Sequence, residues 1–170
     1  MSLSRLIVVL VSALALMVAS ATADAAQTYS DTISGYEYAF TSTDGKFAGT
    51  ASGALPGSWN ADVQHTPLCL SCTPTATING GSFSLATTHN GIPAVVSGAF
   101  VGGTVQVTNV GSHCSNQTFA VNGILGSVGW WSGGSGTGIF IATLTHYRHS
   151  VFGICVTYGA SIKGALSLSL

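Results

Sequence analysis

The stretch Lys163-Gly164-Ala165-Leu166-Ser167-Leu168-Ser169-Leu170 closes the chain on a strict alternation. Leu166, Leu168 and Leu170 fall on one side of an extended backbone, and Ala165, Ser167 and Ser169 fall on the other. A period of two, apolar on one face and small or polar on the other, predicts a half-buried β-strand. The pattern recurs along the chain. Tyr36, Tyr38 and Phe40 alternate with Glu37 and Ala39, Phe83 and Leu85 with Ser82, Ser84 and Ala86, and Val105 and Val107 with Thr104, Gln106 and Thr108. Beyond residue 25 no window carries the 3.6 period of an amphipathic helix.

Turn chemistry punctuates these runs: Asp44-Gly45, Asn79-Gly80-Gly81, Asn90-Gly91, Gly102-Gly103, Asn122-Gly123 and Gly133-Gly134-Ser135-Gly136. Strands are predicted over 34–43, 46–54, 59–66, 75–79, 82–88, 92–101, 103–109, 117–128, 138–148, 151–159 and 161–169, with some of them merging. Connections this short imply an antiparallel meander of about 8–11 strands, because parallel neighbours need long crossovers. Glycine also sits inside strands, as in Ser52-Gly53-Ala54-Leu55 and Lys163-Gly164-Ala165-Leu166. Mid-strand glycine permits sharp bends, which favour a single all-β antiparallel β-barrel; a two-sheet β-sandwich is the alternative. The run Gly134-Ser135-Gly136-Thr137-Gly138-Ile139-Phe140 resembles the GGTG-x-F stretch of dirigent and allene oxide cyclase barrels. It covers under a tenth of the chain and assigns no family.

Composition narrows the function. The 170 residues hold 5% charged and 46% hydrophobic side chains, with a formal net charge of −1. An average soluble domain carries roughly 25% charged residues. So neutral a chain lacks the basic footprint of a nucleic-acid binder. It is also too apolar for intrinsic disorder.

Residues 1–25 read as a secretory signal peptide, with Arg5, an apolar run from Leu6 to Ala19, and the cleavage pattern Ala23-Asp24-Ala25. Residues 26–170 are then a single secreted β-domain, extracellular or at the cell surface, with no transmembrane helix after cleavage. Cys69, Cys72, Cys114 and Cys155 are an even count in an oxidising setting and predict two disulfides. Local closure favours Cys69–Cys72, and strand-to-strand bridging favours Cys114–Cys155. No cofactor and no metal is assigned.

Two clusters are candidate ligand sites. The first is Trp130-Trp131, where one ring is free to project and stack on a sugar or a partner. The second is Thr145-His146-Tyr147-Arg148-His149. A hairpin turning at His149-Ser150 puts Tyr147, Phe152, Ile154, Val156 and Tyr158 on a core face. The Cys114–Cys155 bridge then gathers His113, His146 and Arg148 into a cluster able to hold an anion. Of the few carboxylates, Glu37 and Asp62 are the ones placed for paired acid–base work, and both read as ordinary strand residues. The resulting expectation is a non-enzymatic binding or surface protein contacting itself, a wall polymer or glycan, or a small ligand. The alternatives are a barrel enzyme of isomerase or cyclase type and a small outer-membrane barrel.

Overall fold

The structure is a computed structural model that describes residues 26–70, 74–131 and 134–170. The expected signal peptide and Cys72 lie outside them. Strands run β1 (Thr28–Phe40), β2 (Asp44–Gly53), β3 (Gly57–His65), β4 (Thr75–His89), β5 (Ile92–Asn109), β6 (Gln117–Trp130), β7 (Gly136–Val151) and β8 (Ile154–Ser169). Each pairs antiparallel with its chain neighbours, and β1 pairs with β8, so the sheet closes into an eight-stranded barrel. The seam runs from Thr28↔Ser169 to Gly35↔Ile162. The terminal alternation therefore sits in a strand bonded on both sides, with Leu166 and Leu168 buried inside.

The inward positions fill the barrel as a packed core. Trp59, Phe83, Leu85, Leu125 and Phe140 are almost wholly buried, and the edge contacts of Phe140 with Trp59 (5.7 Å) and Phe100 (5.9 Å) span the interior. Each such side chain stabilises the fold by roughly 1.5–3 kcal/mol relative to an exposed one. Outward positions on the seam are small or polar: Thr28, Ser30, Thr32 and Ser34 on β1, and Lys163, Ala165, Ser167 and Ser169 on β8. Elsewhere the outward face carries apolar side chains: Val101 on β5, Ile124 on β6 and Ile139 and Ile141 on β7 are exposed.

Three predicted breaks are continuous strand. Gly80-Gly81 lies inside β4 and Gly102-Gly103 inside β5, and the stretch about residue 160 lies inside β8. Gly81 and Gly103 adopt positive φ (122° and 125°), beside register shifts on the paired strands, so these glycines bend strands rather than end them. The last hairpin also differs from the prediction. It turns at Phe152-Gly153, with Val151↔Ile154 and Ser150↔Cys155. The face expected as core is instead exposed at Phe152, Ile154, Val156 and Tyr158, and half-buried at Tyr147. The hairpin runs past the point where β8 leaves β1, so no facing strand covers it.

That parting coincides with a glycine pair. Gly35 and Gly49 are register partners on β1 and β2. A Cβ on Gly35 would collide with the Ala48 carbonyl oxygen, and one on Gly49 with the Ser34 carbonyl oxygen. The two backbones approach this closely only because neither residue has a side chain. Gly35 is also the last residue of β1 paired with β8. Beyond it, Tyr36–Phe40 follows β2 alone.

Cys114 and Cys155 form the expected bridge, with Cα atoms 5.2 Å apart and a sequence separation of 41. It ties the β5–β6 loop to the free part of β8. The expected Cys69–Cys72 bridge involves a residue outside those described. At the opposite end, buried Asp31 accepts the Leu55 backbone N–H on Oδ1 at 2.8 Å and so pins the β2–β3 connection against β1. Removing that acceptor leaves a buried donor unsatisfied. Asp31→Ala should lower unfolding free energy by about 1–3 kcal/mol, whereas Asp31→Asn, which keeps an acceptor oxygen, should lose less. Chemical denaturation of the three proteins checks it.

Candidate functional site

The odd residues of β1 point inward: Tyr29, Asp31 and Ile33 are buried, and Glu37 continues that phase. On β7 the even residues do so, giving Phe140, Ala142, Leu144 and His146 as a buried row. The register aligns the two rows. Gly35 pairs with Ile162 and Ile162 with Leu144, so one step further along Glu37 and His146 face each other across β8. The β8 residue paired with His146 is Ala160, whose short side chain leaves the gap open. The two close it: His146 Nε2 lies 2.6 Å from Glu37 Oε2, with side chains 10% and 3% exposed. Against a carboxylate, which only accepts, Nε2 is the donor.

The imidazole lies against Phe40 and Phe119, both with ring centroids 5.0 Å away. Among the described residues no hydrogen bond to its Nδ1 is formed. The pair lines a cavity of about 180 Å³ at the barrel end that carries the β1–β2, β3–β4 and β5–β6 loops. Glu37, Asp44, His65, Gln117 and His146 are its ionisable and amide groups; Phe40, Leu68, Leu70, Val105, Phe119 and Leu144 form much of the rest. A smaller space of about 30 Å³ shares Glu37, His65, Val105 and Leu144 with it and reaches inward to Phe47 and Val121. Gln117 is positioned by its own Nε2 donating to the Val110 carbonyl at 3.0 Å, and His65 by Nδ1 against the Thr66 carbonyl at 2.8 Å.

The residues singled out from sequence are distributed over three places. His146 enters the cavity. Arg148 does not: its Nη1 donates to the Gly111 carbonyl at 3.3 Å and its backbone N–H to Asn116 Oδ1 at 3.3 Å. His113 is exposed on the short 3₁₀ turn Ser112–Cys114, with φ of 53°. The bridge brings the loop carrying His113 to Arg148, while His146 faces the other way, into the barrel. Trp130 and Trp131 stand at the opposite end of the barrel. Trp130 is half-buried against Tyr29 (6.0 Å, edge-on) and His89 (4.4 Å), and Trp131 is 62% exposed. With His89, Ile92 and Ala94 they line a separate cleft of about 160 Å³.

The sequence offers Glu37, with Asp62, as a carboxylate for paired acid–base work but reads it as an ordinary strand residue. The inward phase of β1, followed from Tyr29 and Ile33, turns it into the barrel. Asp44, His65 and Gln117 come from strand ends, where no local pattern marks them.

Among the described residues no group of three or more His, Cys, Asp or Glu side chains is arranged to hold a metal ion, and no helix is long and apolar enough to cross a membrane. The fold and the site thus define a closed eight-stranded antiparallel barrel, packed through its middle, with a carboxylate–imidazole pair in an open end. No known protein family, curated protein or solved structure matches this chain.

Beside the cavity, the Asp44 carboxyl is held above its ordinary value of 3.8, first by burial and then by the neighbouring Asp62 carboxylate, with Lys46 and His65 acting in the opposite sense. A raised carboxyl value means the fold prefers protonated Asp44. Its stabilising contribution is complete below the ordinary value and is lost as pH rises through the raised one. Asp44→Asn should therefore raise the denaturation midpoint at neutral pH and converge on the wild type at about pH 3. The effect should be small, because the group is largely solvated. Midpoints measured at both pH values check it.

Proposed function

We propose that this protein is an extracellular, non-enzymatic binding barrel that takes a small, largely apolar ligand into the loop-bearing end of the barrel. The observation that carries the reading is the Glu37–His146 pair: two nearly buried polar side chains 2.6 Å apart, set in an otherwise mostly apolar cavity. Burying such a pair is costly unless its hydrogen-bonding capacity is used. Nδ1 of His146 is the part left for a ligand. Cavity size supports a ligand near one aromatic ring, since an apolar cavity of about 150 Å³ accommodates benzene. The signal-like N-terminus supports export.

A second reading, an isomerase-type barrel enzyme, is favoured by one observation. An imidazole backed by a carboxylate, with its other nitrogen open to a cavity, is the arrangement of a general base.

Titration with benzene, followed by backbone amide NMR, tests the binding site. Amides of Val105, Phe119 and Leu144 should shift in a saturable way, and Leu144→Trp, which fills the cavity, should abolish the shifts. Saturable shifts confined to His89, Trp130 and Trp131 would move the site to the other end of the barrel.

A further inference from the structure

The chemistry of the cavity wall also selects the kind of ligand, an inference that rests on the binding reading above. Among the described residues its ionisable side chains are two carboxyl groups, Glu37 and Asp44, and two imidazoles, His65 and His146, with no Lys or Arg. Arg148, the closest basic residue in sequence to His146, is engaged with the Gly111 carbonyl outside the cavity. An anion would thus meet carboxylates and no fixed positive charge, which disfavours it.

Hydrogen-bond polarity points the same way. With His146 Nε2 donating to Glu37, the lone pair of an unprotonated ring lies on Nδ1. His65 likewise directs Nδ1 at the Thr66 carbonyl, which leaves its Nε2 as an acceptor. The amide nitrogen of Gln117 is drawn to the Val110 carbonyl. Apart from the Thr41 and Ser42 hydroxyls, which can act either way, the polar side chains of the wall thus turn mainly acceptors to the cavity. A ligand that fits must bring the donor.

Shape completes the argument. Phe40 and Phe119 both lie against the His146 ring, so a flat ring whose polar edge reaches Nδ1 also meets aromatic surface. About 180 Å³ holds one ring with a small substituent. We infer that the cavity binds neutral single-ring aromatic compounds bearing a hydroxyl donor, that is, phenols, with the hydroxyl donating to His146 Nδ1. The assignment departs from the anion site expected from His113, His146 and Arg148.

Three probes of nearly equal size separate the possibilities: phenol, anisole and benzoate, each titrated into the folded protein by calorimetry or amide NMR. Anisole keeps the ring and the oxygen but cannot donate, and benzoate brings a charge. Phenol should bind about tenfold or more tightly than either, the scale expected when one buried hydrogen bond is lost. Anisole or benzoate binding as tightly as phenol overturns the phenol assignment and leaves the ligand cavity standing. Failure of phenol, anisole and benzene alike to give saturable shifts at Val105, Phe119 and Leu144 overturns the cavity reading itself. In His146→Phe, which keeps an aromatic ring against Phe40 and Phe119, the preference for phenol over anisole should vanish. An undiminished preference there would also overturn the assignment.

Discussion

The pairing of β1 with β8 is the constraint on which everything else depends. Eight register pairs, Thr28↔Ser169 to Gly35↔Ile162, join the first strand to the last and remove the two free edges an open eight-stranded sheet would have. They also set the register between β1 and β7 through the shared neighbour β8. Glu37 and His146 are 109 residues apart in sequence, and nothing local directs one to the other. A slip of one residue at the seam would turn Glu37 outward, because strand side chains alternate. Closing the barrel and assembling the pair are one event.

Where that pairing stops matters as much as where it holds. The glycine pair Gly35–Gly49 draws β1 and β2 together, and past it β1 separates from β8. On one side of this point the interior is crowded with Trp59, Phe83, Phe140 and Leu166. On the other, Ala160 stands where a larger side chain would fill the gap, and the walls open into the cavity. The site thus arises from the barrel failing to stay closed at one end. The Cys114–Cys155 bridge keeps that end from fraying, by tying the β5–β6 loop to the stretch of β8 that has lost its β1 neighbour.

Much of this was legible in the sequence, and the exceptions have physical reasons. The period-two runs announce strands, and the glycine-rich grammar announces a bent and closed sheet. The Asn90-Gly91 turn is ordinary hairpin chemistry, with both residues at positive φ (51° and 77°). The equivalent turn at Phe152-Gly153 has the same geometry (51° and 80°) but sets a phenylalanine in the left-handed region. An aromatic there is rare and sends no turn signal, so the sequence points to a hairpin three residues earlier and to its exposed face as core. Gly80-Gly81 and Gly102-Gly103 erred the other way, reading as turns where they bend a continuous strand. The Cys114–Cys155 bridge followed from the expected β pairing even though the register was shifted. Glu37 could have been found only by following the inward phase of β1 from Ile33 onward. Its partner needed the closure, which is long-range by nature.

The central claim is that barrel closure holds Glu37 against His146 Nε2 and leaves Nδ1 open to the cavity. Long-range proton–nitrogen NMR of histidine labelled with ¹⁵N in the ring tests it directly, because the two ring nitrogens report separately which one carries the proton. At neutral pH the account predicts a protonated, hydrogen-bonded Nε2 and a bare Nδ1 for His146, with that preference lost in Glu37→Gln. A proton resident on Nδ1 in the wild type, or a pattern that Glu37→Gln leaves unchanged, would contradict it.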